Sequence, residues 1–160
     1  MIGNDVVDLL QASIESNWKR KGYLAKIFTT EEQHIIQNSK DANATVWLLW
    51  SMKEAAYKIH NRKTKLRNFA PSKLICKIDY LRNGIMGSVS SGGEKYYTSS
   101  EINLNYIHTI AAQEQTQLAY ISTSIYEIPY PSDYRLSKPA CISHHGNYLA
   151  LVYFANQGKC

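Results

Sequence analysis

The sequence predicts an α+β fold in which N-terminal helices pack on an antiparallel sheet. Up to residue 62, after a short opening strand, apolar side chains recur mainly every three to four positions, which is typical of helices. From Lys73 the period shifts to two, which is typical of strands. Gly84 and the pair Gly92-Gly93 separate further strands. Helices followed by neighbouring strands favour the α+β class over an alternating α/β arrangement.

The chain opens on residues 2–9, a short apolar run that is interrupted by acids. As a strand, this run points Asp5 to one face and Asp8 to the other. Gly3 allows another segment to approach the backbone closely. Asp is disfavoured in strands, so Asp5 calls for a functional reason. The alternative is that Asp5 or Asp8 is the N-cap of a helix beginning just after it.

A helix is predicted over residues 46–58 because Trp50 and its apolar neighbours recur at helical spacing. Glu54 follows Trp50 by four residues and Lys58 follows Glu54 by four, so both charges lie on or beside the apolar stripe. The ordinary interpretation is a surface ion pair worth about 0.3–0.5 kcal/mol. A carboxylate on the buried side instead needs a metal ion or a cationic ligand, because desolvating it unpaired costs several kcal/mol.

The turn Ser143-His144-His145-Gly146 leads into an apolar closing strand predicted over residues 148–155. A hydroxyl, an imidazole and free backbone N–H groups beside a glycine suit phosphate oxygens. A metal site is disfavoured, since adjacent histidines in a strand point to opposite faces. A solvated hairpin turn is the alternative.

The remaining elements follow from shorter signals. Thr30 and Gln33 predict a capping box for a helix over residues 31–38. Further predicted strands are 85–89 and 95–99, and a hairpin is predicted from 107–112 and 118–123.

Residues 124–138 are predicted to form a loop or an arm, which carries Tyr126, Tyr130 and Tyr134. These tyrosines are either a partner-binding surface or packed loop residues, and packing is the commoner outcome. His108 lies in a predicted strand, where it is either a polar contact in a site or a hydrogen-bonded core histidine; we favour the second.

Taken in chain order, these segments resemble the motifs of the 4'-phosphopantetheinyl transferase superfamily, in particular the short single-module type typified by holo-[acyl-carrier-protein] synthase. The matching segments are Ile2-Gly3-Asn4-Asp5-Val6, residues 26–32, residues 50–58 and residues 141–150. The resemblance implies a single domain over residues 1–160. It also implies a Mg²⁺-dependent enzyme that transfers 4'-phosphopantetheine from coenzyme A to a serine of an apo acyl or peptidyl carrier protein, releasing adenosine 3',5'-bisphosphate.

The resemblance further implies roles for individual residues. Asp5 and Glu54 match the acidic ligands that hold Mg²⁺ against the coenzyme A pyrophosphate, and Lys58 matches the lysine beside the phosphates. The other implied contacts with the coenzyme are Lys53, Ser143 and His144. Larger relatives carry a third acid where this chain has Val7. The base that deprotonates the carrier serine is either Glu54 or a water on the metal.

Two departures from the family pattern concern charge. Relatives commonly have a Gly-x-Gly turn after the helix, whereas residues 59–67 here predict a basic loop. That loop either grips the coenzyme phosphates or is simply solvated; its basic residues are Arg62, Lys63, Lys65 and Arg67. Relatives also carry basic residues just after the opening Asp, where they meet the carrier protein. Here residues 10–12 are uncharged and the positive charge comes at 19–21.

The charge balance favours a polyanionic partner. The 160 residues include 18 Lys and Arg against 13 Asp and Glu, for a net charge of +5. An acidic carrier protein and coenzyme A satisfy this balance, and so does nucleic acid. The competing hypothesis is therefore a basic nucleic-acid-binding module that uses residues 62–67 with nearby tyrosines. It gives no reason for buried acids at Asp5 and Glu54. A third hypothesis is a catalytically quiet relative that only binds coenzyme A or a carrier.

Cys76, Cys141 and Cys160 form no spacing pattern, which predicts free thiols in a reducing compartment. The sequence shows neither a signal segment nor a long apolar run, so we expect a cytoplasmic protein without a membrane partner. A single set of motifs predicts a homo-oligomer, a homotrimer by resemblance to the short type. Each site would then borrow Ser143 and His144, or a loop, from a neighbouring subunit.

Overall fold

One long helix packs on a five-stranded sheet, and a three-stranded sheet covers part of the other face. A computed structural model describes residues 1–65, 67–82 and 84–155. Within these residues the helices are α1 Leu9–Glu15, α2 Tyr23–Ile27, α3 Thr30–Asn38 and α4 Ala42–Thr64. The strands are β1 Ile2–Asp8, β2 Ile75–Leu81, β3 Gly84–Ser91, β4 Glu94–Ile102, β5 Tyr106–Ala112, β6 Ile121–Glu127, β7 Cys141–His145 and β8 Tyr148–Phe154. Short 3₁₀ turns lie at Pro71–Lys73, Gln115–Tyr120 and Tyr134–Ser137.

The sheets confirm the predicted α+β class. The larger sheet has the order β1-β5-β4-β3-β2 and the smaller has the order β6-β8-β7, with antiparallel neighbours throughout. The predicted hairpin between residues 107–112 and 118–123 is wrong, because β5 and β6 belong to different sheets. Strand β5 already has partners on both sides, and the turn Gln115–Tyr120 carries the chain across to the second sheet.

Helix α4 forms the core against one face of the larger sheet. It runs well beyond the predicted residues 46–58 at both ends, from a cap in which Asp41 accepts a hydrogen bond from the Ala44 N–H at 2.9 Å. Its apolar stripe is completely buried at Val46, Leu48, Leu49, Met52, Ala55, Ala56 and Ile59. Strand β8, which agrees with the predicted closing strand, is buried in the smaller sheet.

The predicted basic loop after α4 is wrong for residues 59–64, which continue the helix. Ile59 is fully buried, so the last turns stay packed on the sheet. The helix ends only at Lys65, whose backbone is left-handed with φ 61° and donates to the Asn61 carbonyl at 2.8 Å. Leu66, also part of that prediction, lies outside the described residues.

The capping box of α3 lies one residue earlier than predicted. The Thr29 hydroxyl accepts the Glu32 N–H at 3.2 Å, and the Glu32 carboxylate accepts the Thr29 N–H at 2.9 Å. The pair Thr30 and Gln33 therefore lies inside the helix. Phe28, just before the cap, is buried, which sets the point where the chain enters the helix.

The predicted free thiols are found at Cys76 and Cys141, which are buried and unbridged; Cys160 lies outside the described residues. Across residues 1–65, 67–82 and 84–155, no helix combines the length and apolar character needed to cross a membrane.

Gly3 lets β1 lie directly against α4. A Cβ atom at this position would meet the carbonyl oxygen of Ala55 at well under van der Waals contact. We expect Gly3→Ala to lower the free energy of unfolding by roughly 1–3 kcal/mol, because the strand and the helix must move apart. Urea denaturation measures this change. An unchanged midpoint would show that the two elements separate here without cost.

Candidate active site

A cleft of about 350 Å³ opens where β1, α4 and β7 meet. Asp5 reaches it from β1 and Glu54 from α4, while His144 comes from β7. Trp50 and Tyr23 contribute aromatic walls. Three segments that are distant in sequence thus bring two acids and an imidazole to one cavity.

Asp5 lies at the buried end of the cleft, with 9% of its surface exposed. Its carboxylate accepts hydrogen bonds from the Lys58 ammonium at 3.1 Å and from the Ser143 hydroxyl at 3.3 Å. Burial raises the pKa of Asp5 above its ordinary value, and Lys58 only partly opposes this shift. The carboxylate is therefore held in place yet incompletely neutralised.

Glu54 shares the cleft with Asp5 and has its pKa raised to about 7. Desolvation is the main cause, the negative charge of Asp5 adds to it, and Lys58 opposes it. Lys58 forms its ion pair with Asp5, so the ordinary Glu54–Lys58 surface pair is not what holds this helix face. Because burial and the charge of Asp5 both disfavour ionised Glu54, this pair of acids would be stabilised by a bound cation.

This donor set fits Mg²⁺. Within the described residues, no group of three or more His, Cys, Asp or Glu side chains is arranged to hold a metal ion. Asp5 and Glu54 offer two carboxylates in the cleft, and Mg²⁺ characteristically takes one or two carboxylates together with waters and substrate phosphates. Val7, two residues after Asp5, is buried and apolar and adds no ligand.

The edge of β1 that faces away from β5 is completed by side chains. Arg62 donates to the Ile2 carbonyl at 2.7 Å, and Lys58 donates to the Asn4 carbonyl at 2.6 Å. Farther along, the Val6 N–H donates to the Ser143 hydroxyl at 3.1 Å, and the Asp8 N–H donates to His145 Nδ1 at 2.9 Å. These four bonds join α4 and β7 to β1 and so position Asp5, the acid that β1 contributes to the cleft.

Lys58 lies at the centre of this cluster. Its ammonium contacts Asp5, the Asn4 carbonyl and, at 3.2 Å, the Ser143 hydroxyl, and 28% of its side chain is exposed. All three hydrogens of the Lys58 ammonium have protein partners here. A direct contact of Lys58 with substrate phosphates therefore remains a prediction.

The expected coenzyme contact of Lys53 is wrong. Lys53 is completely buried and forms an ion pair with Glu32 at 2.6 Å. Its remaining hydrogens go to the carbonyls of Ile27 at 2.9 Å and Pro71 at 2.8 Å. One residue along a helix is a rotation of about 100°, so Lys53 leaves α4 on a different face from Glu54.

Of three further expected coenzyme contacts, that of Ser143 is wrong, whereas those of Arg62 and Lys63 stay predictions. Arg62 is held by the Ile2 carbonyl and by Cys141 Sγ at 3.0 Å, and Lys63 forms an exposed ion pair with Glu94 at 2.9 Å. Ser143 is 5% exposed and its hydroxyl is used by β1, Asp5 and Lys58, so it positions the site instead of facing the cleft.

Asp8 and His145 are connecting residues that the sequence did not assign to the site. Asp8 ends β1 and also caps α1, accepting from the Gln11 N–H at 3.0 Å, so the strand and the N-cap interpretations both hold. Its second oxygen accepts the Asn147 N–H at 2.9 Å. His145 lines the cleft and contacts Glu15 at 3.3 Å. In the sequence, the signal that could have identified His145 was its place next to His144 in the turn.

His108 is a buried strand histidine, as the sequence favoured. It is 3% exposed and contacts the Asn4 amide at 3.4 Å, while Glu101 lies opposite it on β4. Burial and, secondarily, the charge of Lys58 lower its pKa to about 4. The ring is therefore neutral in the folded protein at physiological pH.

Acidification is expected to destabilise the fold through His108. Below its ordinary pKa of about 6.5, the unfolded chain binds a proton that the folded chain does not, so stability falls as the pH drops from about 6.5 towards 4. The loss from this residue is roughly 3 kcal/mol. Urea denaturation at pH 7 and pH 4.5 should show a smaller difference in His108→Gln than in the wild type. Equal differences would contradict the assignment.

Comparison with known proteins identifies the family. The model of the 4'-phosphopantetheinyl transferase superfamily matches residues 1–120. The chain belongs to this superfamily. Its fold is similar to the crystal structure of Thermotoga maritima holo-[acyl-carrier-protein] synthase, with a TM-score of 0.50 and 9% sequence identity over 98% of this chain and 95% of that one. Among curated proteins, no sequence match is found.

Membership of the 4'-phosphopantetheinyl transferase superfamily confirms the resemblance on which the sequence interpretation rested. It supports phosphopantetheinyl transfer as the general activity. The cleft with Asp5 and Glu54 lies in elements within the matched residues 1–120, whereas β7 and its His144 come after them.

Proposed function

We propose that the protein transfers the 4'-phosphopantetheine group of coenzyme A to a serine of an apo carrier protein, with Mg²⁺ as cofactor. One observation carries the proposal: Asp5 and Glu54 face one cleft, with Lys58 bound to the first and acting on the pKa of both. Superfamily membership supplies the reaction class. The donor set supplies the reason for a metal.

Asp5 and Glu54 would hold the Mg²⁺. When bound, the ion would neutralise pyrophosphate oxygens and stabilise the departing bisphosphate. Phosphoryl transfer asks for positioning and charge compensation more than for covalent work by the protein. The buried Asp5, fixed by Lys58 and Ser143, provides a rigid half of that arrangement.

In the transfer, the carrier serine oxygen forms a bond to the phosphorus that bears the pantetheine. The bond from that phosphorus to the bridging oxygen breaks, and adenosine 3',5'-bisphosphate leaves with the electron pair. We assign Glu54 as the base that would accept the serine proton. Lys58 adds fixed positive charge beside the reacting phosphates.

An acidic carrier protein would approach from the α1 side. Lys19, Arg20 and Lys21 are exposed there, and none of them has an ion-pair partner within the described residues. Arg20 lies over the ring of Tyr23, which lines the cleft, with 5.4 Å between the Arg20 Cζ and the ring centroid. The positive charge absent from residues 10–12 is thus supplied at the rim of the cleft.

We also propose a cytoplasmic enzyme that assembles as a homotrimer, as the short type of the family does. Ser143 bonds to Asp5 and His144 lines the cleft within one chain, so a neighbouring subunit would supply a loop and not these two residues. Analytical ultracentrifugation tests the assembly. Activity that survives dilution into monomers would contradict a shared site.

Mass spectrometry of a panel of apo carrier proteins tests the proposed reaction. We expect one carrier to gain the mass of phosphopantetheine when coenzyme A and Mg²⁺ are present. The gain should disappear with a chelator, with a carrier whose acceptor serine is alanine, and with Asp5→Asn. Absence of the gain across the whole panel would contradict the transferase and favour a relative that only binds its ligands.

A further inference from the structure

The segment between β6 and β7 forms an aromatic array on the β7 wall of the cleft. It follows the residues matched by the superfamily model, and its tyrosines Tyr130 and Tyr134 have no part in the machinery described above. We propose that this array binds the adenine ring of coenzyme A. The proposal rests on the proposed function, because it names the donor's nucleotide end as the occupant.

The array runs outward from the cleft. His144 lines the cavity, and the Tyr130 ring packs against it at 5.8 Å between centroids, with 72° between the ring planes. Tyr134 follows at 6.1 Å and 78° from Tyr130. Arg135 then lies 5.4 Å from the Tyr134 centroid. Three rings and a guanidinium are therefore continuous from the cavity to the surface.

The array is held in place yet only partly covered. Tyr130 and Tyr134 are half-buried, whereas His144 and Arg135 are exposed. Near one end of the segment, the Ile128 N–H donates to the Asn147 carbonyl at 2.9 Å. Near the other, the hydroxyls of Ser137 and Tyr153 share a hydrogen bond at 2.7 Å. Perpendicular ring packing fixes the ring planes, and half-burial leaves ring surface for a ligand.

Coenzyme A matches this layout because a single ribose separates its adenine from its pyrophosphate. With the pyrophosphate at the two acids, the base must lie against a wall near the rim of the cleft. Stacking on tyrosine is a sequence-tolerant way to bind a purine, and an adjacent arginine favours both the ring and its phosphates. The β7 wall offers both groups together.

The other aromatic residues of the cleft are less suitable. Trp47 is 5% exposed, and Trp50 packs on Phe69 with 5.7 Å between ring centroids. Tyr23 carries Arg20 and lies on the α1 side, where the acceptor protein is proposed to enter. The adenine site and the proposed acceptor surface then lie on different segments of the chain.

Isothermal titration of the full chain with adenosine 3',5'-bisphosphate and Mg²⁺ tests the assignment. We expect Tyr130→Leu to weaken binding of this nucleotide about tenfold and Tyr130→Phe to keep it, because only the ring is needed. Binding of 4'-phosphopantetheine, which lacks the base, should be unchanged. Tyr80→Leu is the matched control: Tyr80 is 64% exposed on β2 and does not line the cleft, so the nucleotide affinity should be unchanged.

The outcomes separate this inference from the proposed reaction. Unaltered nucleotide affinity in Tyr130→Leu, or an equal loss in Tyr80→Leu, overturns the adenine site even if the wild type modifies a carrier. Nucleotide binding that depends on Tyr130, without carrier modification by the wild type, supports the site and overturns the transferase. If Tyr130→Leu lowers the urea midpoint, Tyr134→Leu decides: a loss of about threefold supports the site, and no loss overturns it.

Discussion

Replacement of Glu54 by glutamine is expected to lower phosphopantetheine transfer by roughly 10²- to 10³-fold, while the metal-free protein becomes more stable. The amide keeps the shape of the side chain but removes a metal ligand and the proposed base. It also removes a partly buried negative charge, which burial and the nearby charge of Asp5 both destabilise. Allowing for solvent screening, the gain in unfolding free energy at pH 8 is about 1 kcal/mol. Carrier modification and urea denaturation measure the two effects.

Glu31→Gln is the matched control for this substitution. Glu31 is exposed in the first turn of α3 and does not line the cleft, so both activity and urea midpoint should stay close to those of the wild type. Full activity in Glu54→Gln would remove Glu54 from the mechanism. A loss of stability in that variant would show that its carboxylate stabilises the fold and is not in conflict with Asp5.

Replacement of Lys53 by methionine is expected to lower the free energy of unfolding by roughly 3–5 kcal/mol. The substitution leaves the Glu32 carboxylate, which is 1% exposed, without its charged partner. It also removes the hydrogen bonds that tie α4 to the ends of neighbouring segments at Ile27 and Pro71. Urea denaturation measures the loss.

Lys63→Met is the matched control, because its ion pair with Glu94 is exposed and should contribute less than about 1 kcal/mol. The double variant Lys53→Met with Glu32→Gln should recover part of the loss, since no buried charge is then left unpaired. A small effect of Lys53→Met alone would show that water reaches Glu32 in the folded protein. That result would contradict the buried ion pair described above.

The sequence predicted most elements, with errors where long-range pairing decides. Strand β1, helix α4 and strand β8 follow from apolar periodicity, because a buried face repeats with the period of its element. The hairpin predicted from residues 107–112 and 118–123 failed, since two neighbouring strands can join different sheets without any local signal. The loop predicted after Lys58 failed because the buried Ile59 outweighs the charged residues around it.

For the candidate site, too, the sequence identified residues correctly where local motifs were enough and failed where packing decided the direction of a side chain. Asp5, Glu54, Lys58 and His144 were singled out by motif order, and the structure places all four at or beside one cleft. Lys53 was singled out by the same motif, yet it points to a buried carboxylate. Membership of a motif identifies a residue type at a position, whereas the direction of its side chain depends on the partners that surround it.

Periodicity and the order of the motifs were therefore enough to assign the class of fold, the superfamily and the two acids. Packing decided which cations face the cleft, that Ser143 supports it from behind, and that Tyr130 extends its wall to the surface. The physical reason is that desolvation and hydrogen bonding act between segments far apart in the chain. Residues 5, 54 and 143 are neighbours only because α4 and the smaller sheet both pack against β1 of the larger sheet.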